Sequence, residues 1–139
     1  WASSWDNVKG ILCPDDEEGR KYLYNIETED KFPLEVPEKG DKTVSVGRFH
    51  FLEDCFEVAN FILIKAFEDN DFEFLVIDEL GKLELEDKGV HRAVDHILTN
   101  YESSEDKNLL LVVRTHLVKE IIAHYKIRSF VIVAKETLP

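Results

Sequence analysis

Six residues, Phe72-Glu73-Phe74-Leu75-Val76-Ile77, five of them apolar, run without a break into Asp78-Glu79, and Gly81 then turns the chain. A continuous apolar run of this length predicts a strand covered on both faces, as in a parallel sheet clothed by helices. Two adjacent acids at its carboxyl end carry a desolvation cost unless something uses or pairs them. Two readings fit. One is an ordinary solvated acidic turn. In the other, the first acid holds the water shell of a magnesium ion beside a nucleoside triphosphate, and the second orients or activates the attacking water.

The flanking chain sets the context. From Leu52 to Asp69 the apolar period is helical, with Leu52, Cys55, Phe56, Ala59, Ile62, Leu63, Ala66 and Phe67 at i, i+3, i+4, i+7 spacing. Val58, Phe61 and Ile64 widen that surface, which predicts a deeply buried crossover helix. After the central strand of residues 72–79, Val90, Ala93, Val94, Ile97, Leu98 and Tyr101 mark a second helix. Asn108 to Val113 predicts another strand buried on both faces, closed by Arg114-Thr115. Leu117, Val118, Ile121, Ile122 and Tyr125 mark a third helix with Thr115 as its N-cap, and Ser129 to Ala134 predicts a last strand. This alternation over residues 52–139 predicts parallel βαβ units, hence an α/β sheet covered by helices.

The front part, residues 1–51, reads differently. Strands are predicted at Val8–Cys13, Lys21–Thr28, Phe32–Val36 marked as edge-like by Pro33 and Pro37, and Val44–Phe51 with Gly47 and Arg48 inside it. Together they form a β-meander. At 139 residues the chain is expected to be one domain, 1–139, with a sizeable core.

Charge narrows the partners. With 17 Lys and Arg against 29 Asp and Glu, the net charge is −12, which argues against nucleic acid and against an anionic membrane surface. A nucleotide is compatible with it, because one phosphate chain needs only a local positive patch and a metal ion. Cys13 and Cys55 have no Cys-x-x-Cys spacing and read as buried thiols, so a reducing cytoplasm is the expected compartment. The chain starts at Trp1 and has no methionine, and we expect a fragment or processed product of something longer.

In an open parallel sheet ligands bind at the carboxyl ends of the strands, which puts Asp78, Glu79, Arg114 and Thr115 on one rim. Asp78 is then the metal candidate and Glu79 the candidate for the water, with Lys82 or Arg114 offsetting charge on the phosphoryl group. Glu84 is a further acid there. Mutual salt bridges among surface loops account for the same residues equally simply. A Gly-x-x-x-x-Gly-Lys-Ser/Thr loop, whose amides and lysine would cradle the phosphates, is absent. Gly40-Asp41-Lys42-Thr43 is a near miss, with Asp where the second glycine is needed, and it lies between β segments. His50, His91, His96, His116 and His124 show no zinc spacing and read as surface residues.

The ten residues Val76-Ile77-Asp78-Glu79-Leu80-Gly81-Lys82-Leu83-Glu84-Leu85 closely resemble Val-Ile-Asp-Glu-Ile-Gly-Lys-Met-Glu-Leu. That run is the signature of a family of small nucleoside-triphosphatases that includes thermophile ATPases and the animal cancer-related nucleoside-triphosphatase. Gly10-Ile11-Leu12, the hairpin Gly19 to Thr28, Val46-Gly47-Arg48-Phe49, Phe56-Glu57-Val58-Ala59 and Leu117-Val118-Lys119-Glu120-Ile121 resemble other segments of the family in the same order. The resemblance implies a RecA-like P-loop fold of three layers, magnesium, and hydrolysis of the terminal phosphate of ATP, GTP and other nucleotides. It makes Asp78 the metal-associated acid and Glu79 the base, with Lys82, Glu84 and Arg48 near the phosphates. It also implies a first strand and phosphate loop ahead of Trp1, with Trp1 to Asp6 at the end of the helix that follows. Two expectations result: a nucleoside-triphosphatase whose phosphate loop lies upstream, this chain being inactive alone, or a non-catalytic binding or assembly module. In the second, the surface left by the missing segment would take a partner or a second copy.

Overall fold

The computed structural model describes residues 6–133. The run that ends in Asp78-Glu79 forms β7 (Phe74–Leu80), an inner strand of a five-stranded sheet ordered β3-β2-β1-β7-β8. Its neighbours β1 (Val8–Leu12) and β8 (Asn108–Val113) both run parallel to it. β2 (Tyr22–Asn25) is antiparallel to β1, and β3 (Lys31–Pro33) is antiparallel to β2, so β3 shares the direction of the parallel trio. The sheet is therefore mainly parallel in direction. Leu75, Val76 and Ile77 are fully buried, which is what an unbroken apolar run requires.

Helix α1 (Glu53–Asp69) crosses from the front part to β7 and packs on β1, β2 and β7 beside α3 (His91–Asn100). It ends at Asn70, whose left-handed backbone lets its amide close on the carbonyls of Ala66 and Phe67. It is buried along one stripe (Cys55, Ala59, Asn60, Leu63, Ala66), while Phe61 lies 66 % exposed. The expected all-round burial is absent because the sheet and α3 meet only one side of the helix. A short α2 (Lys82–Leu85) occupies the expected turn after β7, and α4 (Val118–His124) follows β8.

The front part departs from a simple meander. The segment expected as one strand, Phe32–Val36, divides: β3 stays in the main sheet, whereas β4 (Glu35–Val36) pairs with β6 (Phe49–Leu52) in a second sheet ordered β4-β6-β5. Likewise Val44–Phe51 is a hairpin of β5 (Thr43–Val46) and β6, with Gly47 and Arg48 as its two-residue turn. Gly47 sits at φ +57°, the first-position glycine that such a turn uses to match strand twist.

Two expectations at the carboxyl end need correction. Thr115 is not an N-cap: it starts a 3-10 turn (Thr115–Leu117), and α4 begins behind Leu117 without a side-chain cap. Residues 129–133 form no strand, and Phe130 to Val133 are exposed; Ala134 lies outside the described residues, as do 1–5 of the expected helix end. β8 is correspondingly an edge among the described strands, with all six residues only half-buried, because nothing there pairs with its outer side. No helix among the described residues is long and apolar enough to cross a membrane.

Candidate functional site

The acid pair emerges at the carboxyl end of β7, where the ladder to β8 slips by one residue between Asp78 and Leu80. A bulge at this place re-aims the side chains that leave the sheet. The Asp78–Glu79 peptide is cis. Asp78 is half-buried, and its Oδ2 accepts the Cys13 amide at 3.2 Å, which ties it to the end of β1. Burial pushes the neighbouring Cys13 thiol up, and the Asp78 carboxylate adds to that shift. Glu79 meets the neighbouring strand end instead. Its Oε1 accepts from Arg114 Nε at 3.0 Å, so the carboxyl ends of β7 and β8 meet on one rim.

That rim faces the second sheet across a cavity of about 320 Å³. Glu79, Lys82, Glu84 and Arg114 line it from the rim, and Arg48 reaches it from the β5–β6 turn. Lys21 and His116 also face it, and Phe49, Phe51 and Phe56 supply an apolar wall. Four cationic side chains (Lys21, Arg48, Lys82, Arg114) thus meet two carboxylates (Glu79, Glu84) around one cavity in a chain of net charge −12. Lys21 is paired with Asp15 and Arg114 with Glu79, each at 3.0 Å, so charge is roughly balanced around the cavity and an anion is repelled less there than by the chain as a whole. Asp78 lies behind the lining, next to it and not on its surface.

Glu84 has a distinct task. It is 3 % exposed, with Oε1 accepting the Gly81 amide at 2.7 Å and Oε2 accepting the Val90 amide at 3.0 Å. Both oxygens therefore hold backbone, bracing the turn that carries Lys82. Asn60 on α1 completes the brace: its Oδ1 accepts the Ala93 amide at 2.9 Å and its Nδ2 donates to the Gly89 carbonyl at 3.1 Å. Those bonds satisfy an amide in the first turn of α3, which has no side-chain cap of its own.

Glu84→Ala is expected to destabilise the protein by about 3 kcal/mol, since one buried and one half-buried amide lose their acceptor. Urea unfolding measures it. Burial raises the Glu84 pKa above its usual 4.5, against the opposing hydrogen bonds. Between the unfolded and the raised folded value, the folded state binds the extra proton. Wild-type stability relative to Glu84→Ala should therefore fall as pH rises from 4.5 through the folded value, then level off.

Sequence reasoning missed Lys21, His116 and the phenylalanine wall. Lys21 stands at the mouth of β2 and has no local signature, since only the pairing of β2 with β1 carries it to the rim. Phe51 and Phe56 were visible only as core candidates, and they meet edge-on with centroids 6.2 Å apart.

Fold and rim together define a class: an α/β domain with parallel strands and an acidic pair, backed by cations, at their carboxyl ends. A family model described as NTPase matches residues 3–137, and the chain belongs to that family. Its fold is similar to the crystal structure of THEP1 from the hyperthermophile Aquifex aeolicus, with a TM-score of 0.62 and 23 % identity over 85 % of this chain and 70 % of that one. At that identity the likeness shows the P-loop NTPase-type fold alone. No curated protein matches the sequence.

Proposed function

We propose that the cavity receives the triphosphate of a nucleoside triphosphate, ATP or GTP, and that the chain carries the acid half of a hydrolytic site. The observation that carries this reading is the Glu79–Arg114 contact at 3.0 Å, which sets the second acid of an inner parallel strand among cations on one cavity, with Asp78 directly behind it. The donor set fits magnesium, a hard ion that takes carboxylate oxygen and keeps several waters. Asp78 would hold it, and the ion would supply charge neutralisation on the phosphates. Glu79 takes the proton of the attacking water while Arg114 fixes its orientation. Arg48, Lys82 and Arg114 offset charge on the phosphoryl oxygens. Glu84 positions the Lys82 turn through its two amide bonds.

The 139 residues contain no glycine-rich loop with Lys-Ser/Thr, so this chain by itself is proposed not to turn over. The second reading, a non-catalytic binding or assembly module, draws on the outer side of β8, which pairs with no other described strand and along which a second copy would pair.

Manganese in place of magnesium, added with ATP, is expected to broaden the amide resonances of Cys13, Asp78, Glu79 and Gly81, and Asp78→Asn should abolish that broadening. Broadening confined to other residues sinks the nucleotide reading. Phosphate release from ATP should stay at background, and rates near 1 s⁻¹ or above, in the ordinary enzyme range, would overturn the inactivity of the isolated chain.

A further inference from the structure

Away from the rim, three side chains from different elements converge. Asp87 lies between α2 and α3, His91 opens α3, and His124 closes α4. One ligand atom from each, a carboxylate oxygen and two imidazole nitrogens, lies within 4.8 Å of the others. Asp87 Oδ1 stands 2.9 Å from His124 Nε2 and 3.5 Å from His91 Nε2. The two imidazole centroids are 5.9 Å apart. Their separation in sequence hides this completely, because only Asp87 and His91 are local to each other.

Tyr125 fixes what His91 presents. Its hydroxyl lies 2.8 Å from His91 Nδ1 and 3.5 Å from the Glu84 carbonyl oxygen, and its ring stacks on the imidazole at 5.5 Å. With Nδ1 held by Tyr125, Nε2 of His91 faces the Asp87 carboxylate oxygen. A second group that holds the far nitrogen of an imidazole is also the arrangement that orients metal-ligating histidines. Two histidines and one carboxylate suit zinc and related divalent transition ions, which take imidazole nitrogen at about 2.0–2.1 Å. Tetrahedral donors at that bond length lie about 3.3 Å apart, close to the two spacings from Asp87 Oδ1 to the imidazole nitrogens.

We propose that Asp87, His91 and His124 form a binding site for one divalent zinc-class ion, with the remaining coordination positions open to water or an exogenous ligand. The ion cross-links the start of α3 to the end of α4, and Tyr125 is its positioning residue. The site is separate from the cavity of the proposed function and does not depend on it.

Untagged protein titrated with zinc in excess magnesium should bind one equivalent, and cobalt substituted for zinc should give the intense visible absorption of a site with fewer than six ligands. His124→Gln and Asp87→Asn, both on surface side chains, should each weaken zinc binding about 100-fold or more, while Tyr125→Phe should weaken it about 10-fold. Melting of the metal-free variants, followed by circular dichroism, reports separately whether they fold. Failure of the folded wild type to bind zinc stoichiometrically overturns the site. So does wild-type affinity retained in both His124→Gln and Asp87→Asn, which would put the ion elsewhere, for instance on Cys13 or Asp78.

Discussion

Gly10→Ala is expected to unfold the protein, with a loss of more than about 4 kcal/mol. Gly10 pairs with Val76 in the middle of the β1–β7 ladder at φ +116°, where L side chains are rare. An added Cβ would sit 2.0 Å from the Val76 carbonyl oxygen and 2.8 Å from its amide nitrogen. Those are backbone atoms of an inner strand whose other side is held by β8, so no rotamer change relieves the overlap. Strands β1 and β7 would have to separate, and with them the Cys13–Asp78 contact at the rim. Gly19→Ala is the control, because Gly19 has φ +79° but an open surrounding, and its cost should be about 1–2 kcal/mol. Chemical denaturation of both variants decides the matter. A Gly10→Ala midpoint close to that of Gly19→Ala would show that the ladder yields more than this packing allows.

The second large effect concerns chemistry. In a polypeptide that carries this chain together with a phosphate loop, Glu79→Gln is expected to lower turnover about 1000-fold, the range for loss of a positioned general base. Nucleotide binding should be largely spared, because glutamine keeps the size of the side chain and an oxygen that can accept from Arg114. The diagnostic is a fall in kcat with little change in nucleotide affinity, which marks an interaction used mainly in the transition state. Unchanged turnover would place the base elsewhere, with His116 the next group on the cavity to test.

Much of the architecture was legible because its signals are local. A strand clothed on both faces needs an unbroken apolar run, and Phe72–Ile77 supplies one. The 3.6-residue period marked α1 and α3 within a residue or so of their observed ends. The topological rule for parallel sheets then placed Arg114 on the rim of Asp78 and Glu79, where the structure puts it. Where the reading failed, local signals were present but partners overruled them. Ser129–Ala134 has the composition of a strand, yet composition cannot supply a neighbour, and residues 129–133 pair with none among the described strands. Leu109–Val113 is apolar throughout, but its edge position among the described strands leaves it half-buried.

By itself, then, the sequence determined the strand with its terminal acids, the helical faces and the parallel order, since each follows from residue type over a few neighbouring positions. Only the tertiary structure decided the division of Phe32–Val36 between two sheets and the reversal at Gly47-Arg48, because strand pairing is settled by segments distant in the chain. It also decided that Glu84 turns inward onto two amides while Lys21 and Arg48 reach the cavity. The meeting of Asp87, His91 and His124 belongs to the same order of fact. Side chains far apart in sequence are brought within bonding distance by packing of the apolar faces, and their own identities contribute nothing to that placement.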